Sequence, residues 1–344
     1  MKNIIGAKPQ PSAAEVRFVT VDEESAGQRL DNFLFRHLKG VPKTHVYRII
    51  RSGEVRINKG RAQADSRIEA GDVLRLPPVR VAARSEEGAT PPAPAREFPL
   101  LHEDDALIAI DKPAGVAVHG GSGVSFGVIE QLRTARPAAK FLELVHRLDR
   151  ETSGILLVAK KRSALVALQD QFRERETGKT YLALVEGRWP ANRKVLDAPL
   201  AKYLLPDGER RVRVVAKDHP DAMHAVTLVR VLATLSLTGD AAPMSLLAVT
   251  IKTGRTHQIR VHLASAGHTI AGDDKYGDFE RNRSLQKRGL KRMFLHAWRL
   301  QFNHPVTGER TALQADLPAE LQALMSPEAL DALSVPFAPP SPAQ

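Results

Sequence analysis

Cysteine is absent from the 344 residues of this chain. That absence excludes disulfides, thiolate zinc sites, iron–sulfur clusters and a cysteine nucleophile, so any chemistry must use oxygen or nitrogen side chains or a cofactor. Also missing is an apolar run long enough to cross a bilayer, and the opening MKNIIGAKPQPSAAEV lacks the apolar centre of a signal peptide. Cytoplasmic residence with no membrane partner is therefore expected. No G-x-G-x-x-G follows a strand-like run and no G-x-x-x-x-G-K-[ST] occurs, which leaves a dinucleotide or nucleoside triphosphate site without support.

What is present is length enough for two domains, 43% hydrophobic residues and a formal charge of +11. Such a surplus attracts polyanions and makes nucleic acid the first partner to consider; a basic but merely solvated surface is the alternative. Residues 1–16 and 331–344 mix Pro, Ser and Ala without periodicity and read as flexible tails. The segment 81–97 combines small residues, a charge cluster and prolines, and reads as a linker between modules at 17–80 and 98–330. No internal repeat stands out.

In the first module, GQRLDNFLFRHL spaces Leu30, Phe33, Leu34 and Leu38 as one helical face, and THVYRIIRSG predicts a second helix ended by Gly53. The run EVRINKGRAQ has a hairpin pattern, and a turn is expected at Gly71 and Asp72. Between Arg36 and Arg61 eight Lys or Arg face a single acid, Glu54, which concentrates charge rather than scattering it. GQRLDNFL, IIRSGEVRIN and AGDVLRL, in that order and spacing, resemble the S4 RNA-binding domain. The resemblance implies a small α/β module with a helix pair that presents Arg36, Lys43, Arg48 and Arg51 to structured RNA. A solvated helical face is the competing account of the charge run.

The second module alternates short apolar strands with helices. LIAIDKP, GILLVAK, TYLALVEG, AVTLVRVLAT, MSLLAVTI and LHAWRLQF read as strands, and SFGVIEQLR and SALVALQDQFRE as helices, which predicts a mixed central sheet. Three polar clusters interrupt this pattern: DKPAG at 111–115, HRLDRETSG at 146–154 and KTGRTHQIRVH at 252–262. Polar groups near core segments must find partners or do chemistry. Arginines flank Asp149 in HRLDRETSG; a carboxylate held ionised by cations suits a nucleophile or base, while an Asp in a turn also serves as a backbone cap. Local spacing leaves both readings open.

Taken together, DKPAG, HRLDRETSG, KTYLALVEG and GRTHQIRVH with GDDKYGD resemble, in collinear order, the RluA-type pseudouridine synthases. The resemblance implies an α+β fold, with a central mixed, largely antiparallel sheet flanked by helices and crossed by an RNA-binding cleft. It also implies Asp149 as the catalytic carboxylate, Tyr181 as the active-site tyrosine packed against the base and implicated in proton transfer, and Arg260 as the cation paired with Asp149. The sequence departs from the family's common pattern at ASAGHT and at DRET, neither of which touches those three residues. His146, Arg147, Arg255 and His257 are expected to contact RNA; for Arg147 the two readings are stacking in the gap left by an extruded base and pairing with Glu151.

The implied reaction turns uridine into pseudouridine in 23S ribosomal RNA, free or in a large-subunit assembly intermediate, with a monomeric enzyme and no cofactor. Attack at ribose C1′, assistance to base departure and addition at uracil C6 all remain open to a carboxylate. A metal site is not expected, because His257 and His262 are five residues apart with no glutamate beside His257. The basic run RNRSLQKRGLKR, residues 281–292, is expected as an exposed loop that either touches phosphate or is simply solvated. Two other functions compete: a non-catalytic rRNA-binding assembly factor, and a nucleoside or glycoside hydrolase that uses Glu151 or Asp273 as a second carboxylate.

Overall fold

In the computed structural model, residues 15–23, 25–38, 40–79, 93–121, 125–237 and 242–334 are described. Most of the expected linker and of both tails therefore lies outside the described residues. The chain forms two compact units, Met1–Pro92 and Ala93–Gln344.

The first unit contains β1 (Arg17–Thr20), α1 (Leu30–His37), α2 (Lys43–Arg51), β2 (Arg56–Ile57), β3 (Gly60–Arg61) and β4 (Val73–Leu76). Its four strands pair antiparallel in the order β1-β4-β2-β3. Leu30, Phe33 and Leu34 of α1 meet Val46, Ile49 and Ile50 of α2 over Leu74 and Leu76, as the i, i+3, i+4 spacing requires. The β2–β3 turn uses Asn58 and Lys59 at φ +48° and +70°, the two positive-φ positions of a tight hairpin. With the apolar face buried, Arg36, Lys43, Arg48 and Arg51 are left exposed.

The second unit runs β5 (Leu100–Glu103), β6 (Leu107–Lys112), α3 (Val128–Ala135), β7 (Glu143–Leu144), β8 (Ser153–Ala159), α4 (Arg162–Glu174) and β9 (Gly178–Glu186). It continues with β10 (Val195–Asp197), β11 (Leu200–Leu204), β12 (Arg210–Val214), β13 (Val226–Leu235), β14 (Met244–Ile251), α5 (Gln258–Ser265) and α6 (Phe279–Lys287). The last elements are β15 (Leu295–Asn303), β16 (Arg310–Gln314), α7 (Ala319–Gln322) and α8 (Pro327–Asp331). A ten-stranded sheet takes the order β10-β13-β14-β9-β15-β8-β6-β5, with β16 on β15 and β7 on β8. Among the described strands only β15 and β8 pair parallel, so the α+β fold is mixed and largely antiparallel.

Strand β8 is buried along its whole length because both of its faces are covered. Ile155, Leu157 and Ala159 pack on Ala164, Leu165 and Leu168 of α4, whereas Leu156 and Val158 pack on Val128, Ile129 and Leu132 of α3. This period of two on a two-sided strand anchors the HRLDRETSG turn that precedes it. A Cβ on Gly154, whose φ is +106°, would lie 2.3 Å from the Ala297 carbonyl oxygen, so the close β8–β15 junction requires glycine there.

Two expectations are corrected. RNRSLQKRGLKR is mostly helix α6 rather than a loop, with Leu285 and Leu290 fully buried and Arg281 bonded to Glu186 at 3.0 Å. The cause is an apolar pair hidden among the cations, together with an N-cap bond from Arg281 N–H to Asp278 at 2.7 Å. At the other end, α8 and a 3-10 turn at Ala332–Ser334 carry regular structure past the expected limit at residue 330.

Candidate active site

The DKPAG loop leaves β6 and lies against the HRLDRETSG turn. Lys112 is completely buried, and its ammonium donates to the carbonyls of Pro113 (2.9 Å), Val116 (2.9 Å) and Arg150 (3.1 Å). Three N–H donors thus meet three acceptors. Burial and the nearby Arg292 charge lower its pKa to about 7, yet a neutral amine would leave one of these carbonyls unmatched. Gly115 N–H also donates to Arg150 O at 2.9 Å. The turn that carries Asp149 is fixed from below by a residue that the sequence quoted only as part of a motif.

KTGRTHQIRVH folds as a turn followed by α5, and its polar residues divide into two groups. Gln258 accepts from Thr253 Oγ1 (2.7 Å) and Arg255 N–H (3.0 Å) and donates to Val226 O and Thr227 Oγ1 (3.0 Å each). His262 bridges Thr227 Oγ1 and Ala198 O at 2.9 Å each. These satisfied groups dock α5 on the sheet. Arg255, His257 and Arg260 instead line the cavities around Asp149.

Arg260 is only 4% exposed and reaches Asp149 Oδ2 through Nη1 at 3.4 Å. Its tighter partner is Asp273, 1% exposed, which accepts from Nε at 2.8 Å and Nη2 at 2.7 Å. Asp273 also accepts from the backbone N–H of Lys275 and Tyr276. Burial opposes ionisation of Asp273, but the hydrogen bonds and charge of Arg260 outweigh it and hold the carboxyl below its ordinary range. The cation expected to serve Asp149 is thus shared, and Asp273 orients it.

Asp149, Arg147, His257 and Arg260 line both a cavity of about 460 Å³ and a smaller one of about 100 Å³ that also borders Tyr181, Arg255 and Leu295. The larger volume falls in the usual range for small-molecule pockets. Burial, and after it the charge of Asp149, raises the pKa of the Tyr181 phenol. Tyr181 is therefore a neutral phenol at ordinary pH. His257 Nε2 lies 4.0 Å from Asp149 Oδ2, and burial keeps its ring neutral by lowering its pKa below the usual value.

Exposed Arg147 makes no ion pair among the described residues, because Glu151 pairs with Arg150 at 3.2 Å. His146 is corrected: its ring stacks on Phe172 with centroids 4.7 Å apart and its Nε2 accepts from Leu157 N–H at 3.2 Å. Burial lowers its pKa to about 4. That is a packing role against Phe172 of α4, in the bend after β7 and away from the residues that line the cavities. Glu151 and Asp273, the two candidate second carboxylates of a hydrolase, are both engaged with arginines. Among the described residues no group of three or more His, Asp or Glu could hold a metal ion, and no helix is long and apolar enough to cross a membrane.

Residues 106–265 match the RNA pseudouridylate synthase family and residues 28–74 match the S4 domain. Ribosomal large subunit pseudouridine synthase C of Escherichia coli (strain K12) is 51% identical over 312 residues, 89% of this chain and 95% of its own. The protein of that name from Pasteurella multocida (strain Pm70) is 49% identical over 90% of this chain and 93% of its own. Among solved structures, human RNA pseudouridylate synthase domain containing 1 superposes with a TM-score of 0.56 at 25% identity, covering 74% of this chain and all (100%) of that one. The human domain containing 4 protein gives 0.53 at 27% identity over 69% and 94%. The chain belongs to the RNA pseudouridine synthase family and carries an S4 RNA-binding domain.

Proposed function

We propose that the chain isomerises selected uridines of 23S ribosomal RNA to pseudouridine, with Asp149 as the reacting carboxylate and no cofactor. One observation carries this reading above the others. Asp149 borders two adjoining cavities with a buried arginine behind one of its oxygens and a neutral tyrosine nearby. In the reaction the N1–C1′ bond breaks, the uracil turns, and C5 bonds to C1′; C5 loses a proton and N1 gains one. Arg260 holds one oxygen of Asp149, Tyr181 packs against the base, and Arg147 fills the gap left by the extruded nucleotide, whose unstacking costs roughly a few kcal/mol.

Residues 17–80 act in this reading as the RNA-docking domain, through Arg36, Lys43, Arg48 and Arg51, and residues 98–330 as the catalytic domain. Arg255 and His257 complete the RNA contacts at the cavity rim. The partner is 23S rRNA or a large-subunit assembly intermediate, met by a monomer in the cytoplasm. The names of the curated relatives support this substrate. The test is conversion of uridine in 23S transcripts by the purified protein. Tight binding without conversion would instead favour an assembly factor, and release of free uracil a hydrolase.

A further inference from the structure

His257, in the turn closed by Gln258 N–H on Arg255 O at 3.1 Å, adopts a left-handed backbone conformation that a residue with a Cβ rarely takes. It is the N-cap of α5, where extended backbone is usual, yet its φ is +51° and its side chain makes no capping bond. The other non-glycine residues with positive φ among those described are Asn58 and Lys59 in a hairpin turn and Arg175 at a helix C-cap, where such values are common. A left-handed backbone held at a residue that lines the cavity points to the side chain it places.

That side chain lies between Tyr276 and Asp149. The Tyr276 hydroxyl accepts from Val212 N–H at 3.2 Å and stands 2.8 Å from His257 Nδ1. With Val212 N–H taking one lone pair of the hydroxyl, its proton can be donated to Nδ1, the acceptor within reach among the described residues. The remaining hydrogen of the neutral ring is then on Nε2. Nε2 faces Asp149 Oδ2 at 4.0 Å, the same oxygen that Arg260 Nη1 approaches at 3.4 Å. No side-chain donor to Oδ1 occurs among the described residues. The distance of 4.0 Å is longer than a hydrogen bond, but donors at catalytic groups commonly close only when substrate is bound.

We propose that His257 is a positioning residue for Asp149: fixed by Tyr276 as the Nε2–H tautomer, it shares Oδ2 with Arg260 and leaves Oδ1 as the oxygen that meets the substrate. The β11–β12 hairpin thereby joins the site, since Val212 of β12 holds the Tyr276 hydroxyl. This rests on Asp149 being the reacting carboxylate.

The test uses the full chain and a 23S transcript, with single-turnover rate, RNA affinity and melting temperature measured for His257→Leu, His257→Gln and Tyr276→Phe. Glutamine carries an N–H donor near the place of Nε2, and leucine carries none. His257→Leu is expected to slow single-turnover conversion at saturating RNA about 10- to 100-fold, the size of effect seen on losing an outer hydrogen-bond partner, with melting temperature unchanged and any loss of RNA affinity shared by His257→Gln. His257→Gln should recover most of the rate. Nitrogen-15 spectra of histidine-labelled protein should show Nε2–H at His257 in the wild type and lose that preference in Tyr276→Phe. A wild-type rate in His257→Leu, equal defects in the leucine and glutamine variants, or Nδ1–H in the wild type would each overturn the proposal. Activity in Asp149→Asn is the separate result that would remove the reading beneath it.

Discussion

Three carboxylates meet Arg260, the exposed Asp274 at 3.6 Å being the loosest, and the same substitution at Asp273 and at Asp149 should have opposite consequences. Asp273 is 1% exposed and takes both Nε (2.8 Å) and Nη2 (2.7 Å). In Asp273→Asn an amide N–H₂ must face the guanidinium, and a buried cation loses its closest counter-charge while Asp149 and Asp274 remain at 3.4 and 3.6 Å, which costs up to about 3–5 kcal/mol. For a unit of this size that corresponds to a fall in melting temperature of up to roughly 6–20 °C. Asp149 is 28% exposed on its side chain and meets Arg260 only at 3.4 Å. A partly solvated contact of that length contributes about 0–1 kcal/mol, so Asp149→Asn should melt within roughly 4 °C of wild type. Its pseudouridine formation should nevertheless vanish, because the reacting oxygen and its charge are gone. The assay is thermal melting of both purified variants beside single-turnover conversion at 25 °C. An Asp149→Asn protein that converts uridine, with host enzyme excluded, would refute the catalytic assignment. An Asp273→Asn protein that melts with wild type would refute the claim that Asp273 holds the arginine.

Lys112→Met should strand three buried carbonyls and lower stability by about 3 kcal/mol, read from urea unfolding; a variant as stable as wild type would show that the Arg150 turn does not depend on this ammonium. His296 is fully buried between Ser153 Oγ and Ala315 O, and burial lowers its pKa from 6.5 to about 4. Because the folded ring stays neutral while the unfolded one protonates, its contribution is complete above pH 6.5 and is lost as pH falls toward 4, by about 3 kcal/mol in all. His296→Gln should flatten that part of the pH–stability curve, and parallel curves would count against it. Tyr181→Phe keeps the ring that stacks on the base and loses the hydroxyl, so RNA affinity should survive while single-turnover conversion falls; an unchanged rate would deny the hydroxyl any part. Replacing Arg48 and Arg51 by alanine should weaken RNA binding and reduce the slope of log affinity against log salt by roughly 1 to 2, and an unaltered slope would remove that face from the RNA contacts.

Periodicity and collinear motifs were enough to identify both modules, the six main strands and the helices around them, because these depend on neighbours within a few residues. The unbroken apolar run ILLVA in GILLVAK suits a strand covered on both faces, and Leu30, Phe33 and Leu34 already formed one side of a helix. Asp149, Tyr181 and Arg260, each in a motif whose order along the chain carries information, line one cavity in the fold. Motif membership did not separate groups that reach the cavity from groups that support it. His146 packs on Phe172 and Lys112 on three carbonyls, while Gln258 and His262 of the same GRTHQIRVH run dock a helix. Nor did it reveal that Arg260 is held by Asp273, or that RNRSLQKRGLKR is a helix with a buried leucine. Local order sets which way a side chain alternates along its own strand or helix. Which partner it meets across 111 residues of chain, as Arg260 meets Asp149, depends on how separate elements pack and which buried charge must be neutralised, and only the tertiary structure decides that.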